Sequence, residues 1–295
     1  MKRTSKIILT LACIFLTAGI LTVMITGAII IKNGNILEII YSNNFESGDN
    51  NMTTNQTVDI ENQDIKNITL TGNYGKVEFI KGDRFAYEVI GTEVDSSMFT
   101  HDVTGDTWYI NIKNRSGFYF FGFGKDDHIS LLRITVPNTE VLNGVNVKLN
   151  AGSVQVERLA AKSLSMEMGA GSLEADELVG EENLRLTVSA GKCKIDHMIG
   201  KNPYFRCEAG QIQAKGILTG NGSVNCGVGH IDLDLIGDIS EYDYGVSCSV
   251  GAIKINGNQV GGLATKNSKQ TGLTNNFDLD CGVGQINLDF IPKEN

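Results

Sequence analysis

Residues 226–233 read CGVGHIDL, and residues 281–288 repeat the phrase almost letter for letter as CGVGQINL. Looser copies stand at residues 149–156, 168–175, 188–195, 207–214 and 248–255. Seven glycines therefore mark the phrase: Gly152, Gly171, Gly191, Gly210, Gly229, Gly251 and Gly284. The first intervals between them are 19, 20, 19 and 19 residues, and the last two, 22 and 33, are the same unit with insertions. A period near 20 is too short for a helical hairpin but long enough for one β coil.

Counting from each glycine, position +2 is apolar (Val154, Ile212, Ile231) and so is +4, while +3 between them is polar (Gln155, Gln213, Asp232). Apolar–polar–apolar alternation puts neighbouring side chains on opposite faces of a strand. The same alternation holds before the glycine, where −3 and −5 are apolar and −4 is polar in most copies. Two short strands thus flank each glycine. The residue just before it is always Ala or Val, which marks a tight corner where glycine supplies freedom in φ.

One such coil cannot bury its apolar side alone, so the coils must stack. The pattern predicts an all-β fold, a parallel β-helix or β-solenoid of about 7 to 8 rungs. The regular repeats fill residues 138–295. Residues 64–137 read as an N-terminal β cap that includes a divergent first repeat with Gly75 at its corner. A cap is required because an open end exposes core and unpaired strand edge.

Residues 7–31 form a run of 25 residues without a charge, preceded by Lys2, Arg3 and Lys6 and followed by Lys32. A membrane-spanning helix needs about 20 apolar residues and a signal-peptide core about 7 to 15. No small-x-small cleavage site follows, so the run predicts a single retained transmembrane helix, with a long cleaved signal peptide as the alternative. The basic tail, residues 1–6, then lies in the cytoplasm and everything after Lys32 lies outside. Residues 32–63 are rich in Asn, Ser, Thr, Asp and Gly and read as a flexible spacer.

The string of Ala/Val-Gly repeats resembles the bacterial putative-adhesin family built around a β-strand-repeat domain of unknown function, which includes LiaG-like envelope proteins. The Val136-Pro137-Asn138 turn, the aromatic-glycine loop before residues 131–137 and the N-terminal apolar run also carry the resemblance. It covers residues 65–290. It implies an extracytoplasmic envelope protein, an adhesin or a component linked to envelope stress, and it brings no catalytic motif, cofactor or metal.

The residues themselves point the same way. Polysaccharide-cleaving β-helices need carboxylates or a base converging on one face. Here the outward +3 column mixes Gln155, Glu174, Lys194, Gln213, Asp232, Lys254 and Asn287. The nearest approach to a site is the row His230, Asp232 and Asp234, so a glycan-active enzyme is the alternative reading, and a purely structural envelope stalk a third. His101, His128 and His197 lack metal-ligand spacing. Charge narrows the partners. The chain is −9 overall, but the part after Lys32 carries 21 basic against 34 acidic residues, or −13. Nucleic acid and other anionic polymers are therefore not expected, whereas an envelope protein surface, a neutral glycan or a cationic peptide is compatible with this charge.

Cys207, Cys226, Cys248 and Cys281 all fall at −3, which predicts a column of thiols in successive rungs. Earlier copies hold Leu149, Met168 and Val188 there, so a reduced apolar column is the expectation. Bridging is the alternative that an extracytoplasmic location favours. Two interruptions of the repeat are candidate interaction features. One is the aromatic loop of Phe118, Tyr119, Phe120, Phe121 and Phe123, which either docks a partner or folds over the stack. The other is the insertion over residues 256–276, either a binding loop or slack.

Overall fold

The computed structural model describes residues 56–60, 64–90, 99–113, 131–138, 141–269 and 272–292. The apolar run at 7–31, nearly all of the spacer and the aromatic loop at Phe118–Phe123 lie outside the described residues. Among those described, no helix is long and apolar enough to cross a membrane.

Among the described residues, all strands belong to one open 17-stranded sheet. The first seven are β1 (Gln56–Asp59), β2 (Asn67–Gly72), β3 (Gly75–Gly82), β4 (Ala86–Ile90), β5 (Phe99–Thr104), β6 (Thr107–Ile112) and β7 (Leu131–Pro137). Four long strands, β8 (Leu142–Val156), β9 (Leu159–Lys201), β10 (Pro203–Thr219) and β11 (Asn221–Ile236), carry the regular repeats. Six short ones follow: β12 (Tyr242–Cys248), β13 (Ala252–Ile255), β14 (Asn258–Gly261), β15 (Thr265–Lys269), β16 (Asn275–Cys281) and β17 (Gln285–Ile291).

The long strands pair in parallel with phrase against phrase. Gly152 faces Gly171, and Gly210 lies between Gly191 and Gly229. Every +2 side chain from Val154 to Ile286 is sealed inside, at 0 or 1% exposure. The corner glycines touch. A Cβ on Gly152 would strike the carbonyl oxygen of Gly75, and one on Gly171 that of Gly152. The same collision recurs through Gly191, Gly210, Gly229, Gly284 and Gly251. Lack of a Cβ is therefore the common requirement of the column. A positive φ occurs only in the first three of these rungs, at +121° for Gly152, +126° for Gly171 and +157° for Gly191.

That collision chain corrects the expected order of the rungs. The Gly284 rung, not the Gly251 rung, lies against Gly229, and Gly251 is outermost. Strands β16 and β17 pair with β11 on one side and with β12 and β13 on the other. The N-terminal end is built the same way. Strands β2 and β3, with Gly75, lie between β8 and an outermost rung made of β6 and β7. Residues 131–137, though they directly precede the first regular rung in the chain, therefore sit two rungs away from it.

Antiparallel strands cover both outermost rungs. Strands β4 and β5 cover β7 and β6. Strands β14 and β15 cover β13 and β12. Two-residue turns fold these covers back. Gly105 at φ +64° links β5 to β6, and Asn256 and Gly257, at +48° and +72°, link β13 to β14. Asn-Gly with both φ positive is the turn whose twist matches a hairpin. Much of the insertion at 256–276 is therefore edge cover rather than slack. Buried Asp243 ties down its far end by accepting from the backbone N–H groups of Gly272 and Leu273 at 2.8 and 2.9 Å.

Candidate functional site

In the corrected stack, Gln211, His230 and Gln285 stand in one outward row at +1. Gln213, Asp232, Asn287 and Lys254 stand in the next, at +3. Period-two alternation puts both rows on the face opposite the sealed core columns. His230 Nε2 lies 2.8 Å from Asp232 Oδ1, and since a carboxylate only accepts, Nε2 carries the proton. Asn287 Nδ2 donates to the same oxygen at 2.7 Å and lies 3.4 Å from the imidazole. Gln285 Nε2 donates to Asn287 Oδ1 at 2.6 Å. Four side chains from two adjacent rungs are thus held in one half-buried hydrogen-bonded network.

Asp234, the third member of the expected row, is exposed and in register with Lys215 and Asp289. It joins no hydrogen bond of this network. Asp232 and Asp234 project from a single strand over an open face, whereas glycoside cleavage uses two carboxylates that flank the bond. An open cleft of about 310 Å³, lined by Asp238, Ile239, Glu241, Asn256 and Phe290 among others, includes none of the network residues. Among the described residues, no group of three or more His, Cys, Asp or Glu is placed to hold a metal.

Across the glycine corner runs a second row that the sequence showed only as a steric marker. The −1 residues Ala170, Ala190, Ala209, Val228, Val283 and Val250 all face solvent, the three valines at 42, 46 and 57% exposure. Hydrogen bonds from the Val283 N–H to Gly227 and from the Val250 N–H to Gly282 continue the row through the exchanged rungs. An apolar stripe and a polar ladder therefore share one edge of the stack, separated by the glycines.

Beneath the corner lie the cysteines. Cys207 faces Cys226, Cys226 faces Cys281 and Cys281 faces Cys248, so the last two exchange places relative to chain order. All four, and Cys193, are buried free thiols. Burial pushes Cys193 up to about 12, Cys226 to about 11 and Cys281 to about 12. Cys207 is raised by the same cause. The Cys207 sulfur takes hydrogen bonds from the backbone at Gly210 and His230, and the Cys226 sulfur from that at Gly229 and Gln285. Sulfur thus serves inward-facing amides at the corner, which Leu149 or Val188 cannot do.

The sequence reading reached His230 and Asp232 but missed Gln285 and Asn287. Their signal was the near-identity of the two phrases, with a glycine at −2 in both. A Cβ on Gly282 would press on the Gly227 carbonyl, so this pair of rungs is matched at that position too.

These features define an open, all-β stack of in-register coils with a glycine corner and an exposed amphipathic edge. The chain belongs to the Toastrack DUF4097 family, whose model matches residues 65–255. No curated protein is significantly similar to it. Among solved structures it is similar to a "putative cell adhesion protein" from Clostridium sporogenes at 15% identity and TM-score 0.35, covering 81% of this chain and 100% of that one. A "putative adhesin" from Bacteroides fragilis matches at 17% identity and TM-score 0.34, over 83% and 100%. A "putative lipid binding protein" from Parabacteroides distasonis matches at 11% identity and TM-score 0.32, over 83% and 98%.

Proposed function

We propose that the chain is a membrane-anchored, extracytoplasmic and non-enzymatic binding module, adhesin-like or associated with envelope stress. The observation that carries this reading is the exposed edge itself. A continuous apolar stripe and a hydrogen-bonding ladder lie side by side over the corner glycines, with no enclosing pocket around them among the described residues. The uncharged run at residues 7–31, its flanking lysines and arginine and the polar spacer support an anchor and an outward-facing domain.

The test uses the full chain in lipid nanodiscs, incubated with bacterial envelope fragments and recovered by a C-terminal tag. Retention of envelope material by the wild type and its loss in a Val228→Asp/Val283→Asp variant of unchanged melting temperature is the expected result. No retention at all contradicts the reading. The enzyme alternative rests on the 2.8 Å contact of His230 with Asp232. It is supported instead if soluble sugar fragments appear with the wild type and not with Asp232→Asn.

A further inference from the structure

We propose that the edge over the corners of Gly210, Gly229, Gly284 and Gly251 binds a neutral, linear, β-linked glycan lying along the stack axis. This rests on the binding-module reading and names its ligand class. The argument starts with the chemistry of the ladder. Glutamine and asparagine side chains both donate and accept, as hydroxyl groups do. Gln211 and Gln213 make no side-chain hydrogen bond among the described residues. Asn287 is already oriented by its hydrogen bond to Asp232, and Gln285 by its own to Asn287. Held planar groups lose less freedom when a ligand arrives.

Charge excludes the other common polymers. In the two rows over these four rungs, Asp232 and Lys254 are the only formal charges with His230 neutral, and they cancel. The rest of the chain after Lys32 is strongly acidic, which repels polyanions. The apolar stripe supplies the other half of the match. Sugar rings carry C–H groups on their faces and hydroxyls on their rims, so a glycan laid over the corner meets Ala209, Val228 and Val283 with one and the ladder with the other.

Spacing argues for a polymer over a single sugar. Rungs recur every ~4.8 Å, so two rungs span about 9.6 Å, close to the two-sugar repeat of an extended β-linked chain. Every second rung then meets an equivalent sugar. An open edge encloses little of any one sugar, so affinity must accumulate along the chain and rise with its length.

The experiment is calorimetric titration of the full chain in detergent with cellohexaose and chitohexaose, and with the matching disaccharides. At least one hexamer is expected to bind about tenfold or more tightly than its disaccharide. Asn287→Ala and Gln213→Ala are each expected to weaken it about tenfold. Should Asn287→Ala lower the melting temperature, Gln213→Ala decides, because it removes no side-chain hydrogen bond among the described residues. Hexamers that fail to bind, bind no better than disaccharides, or bind both variants as well as wild type overturn the assignment. So does tighter binding of polygalacturonate. If hexamers are ignored while envelope fragments are still retained, the glycan assignment fails alone. If both are ignored, the binding-module reading falls with it.

Discussion

At the scale of single residues, the glycine corners set two separable demands. Gly210 lies outside the left-handed region, so Gly210→Ala suffers only the collision with the Gly191 carbonyl. Gly257 is the converse, with φ +72° and no atom within 4 Å of a Cβ. Gly210→Ala should cost more than about 3 kcal/mol because a neighbouring rung must move, and Gly257→Ala about 1 kcal/mol. Urea unfolding of the two variants measures both, and equal losses would contradict the close-contact account.

The thiols make a second prediction at this scale. Cys207→Val fits a column that holds Val188 one rung away but removes the sulfur that serves the corner amides. A loss of about 1–2 kcal/mol is expected, against almost none if the column only fills space. Burial raises the thiols of Cys193, Cys226 and Cys281 from the ordinary value of 9.0 to about 12, about 11 and about 12, so the folded state holds their protons more tightly than the unfolded chain. Their contribution is complete below pH about 9 and is lost as pH climbs to about 12. Cys193→Val should therefore flatten the fall in stability over that window.

At the scale of elements, the alternating columns, the corner glycines and the β character of the described residues between 64 and 137 were legible from residue types alone. Each rung carries its own period-two pattern, whatever its neighbours are. The order of the rungs was not legible, since CSVGAIKI and CGVGQINL present the same inward columns and either could lie on CGVGHIDL. What decides it is the need to cover an outermost edge, met at both ends by a hairpin turn that brings an antiparallel strand back over the last rung. The Asn256-Gly257 pair was the visible sign.

Rung order is open to a direct check. Asn225 and Asp280 are in register on adjacent strands, as are Asp280 and Ser247. Asn225 and Ser247 are thus two rungs apart, about 9.6 Å. Oxidation of Asn225→Cys/Asp280→Cys should give a bridge, and of Asn225→Cys/Ser247→Cys none, because Cα atoms beyond about 7 Å cannot be linked. Sequential stacking predicts the reverse, and peptide mapping of the oxidised proteins reads the answer.

At the scale of the whole molecule, the interior is uniform and the exterior is not. Apolar columns run through the stack, while the outward rows change from mixed charges near Glu174 and Lys194 to amides and a histidine near Gln213, His230 and Asn287. Sequence alone brought out the mixture but not the ladder, because exchanged rungs place Asn287 beside Asp232, 55 residues away in the chain. In the proposed reading the stack is a scaffold and its exposed edge is the binding surface. The most direct measurement is envelope retention by the full chain in nanodiscs, comparing aspartate at Ala209, Val228 and Val283 with aspartate at Lys162, an exposed position away from the corner. The account predicts that retention falls for each edge variant and persists for Lys162→Asp, with melting temperatures unchanged. Retention that survives all three edge substitutions would contradict it.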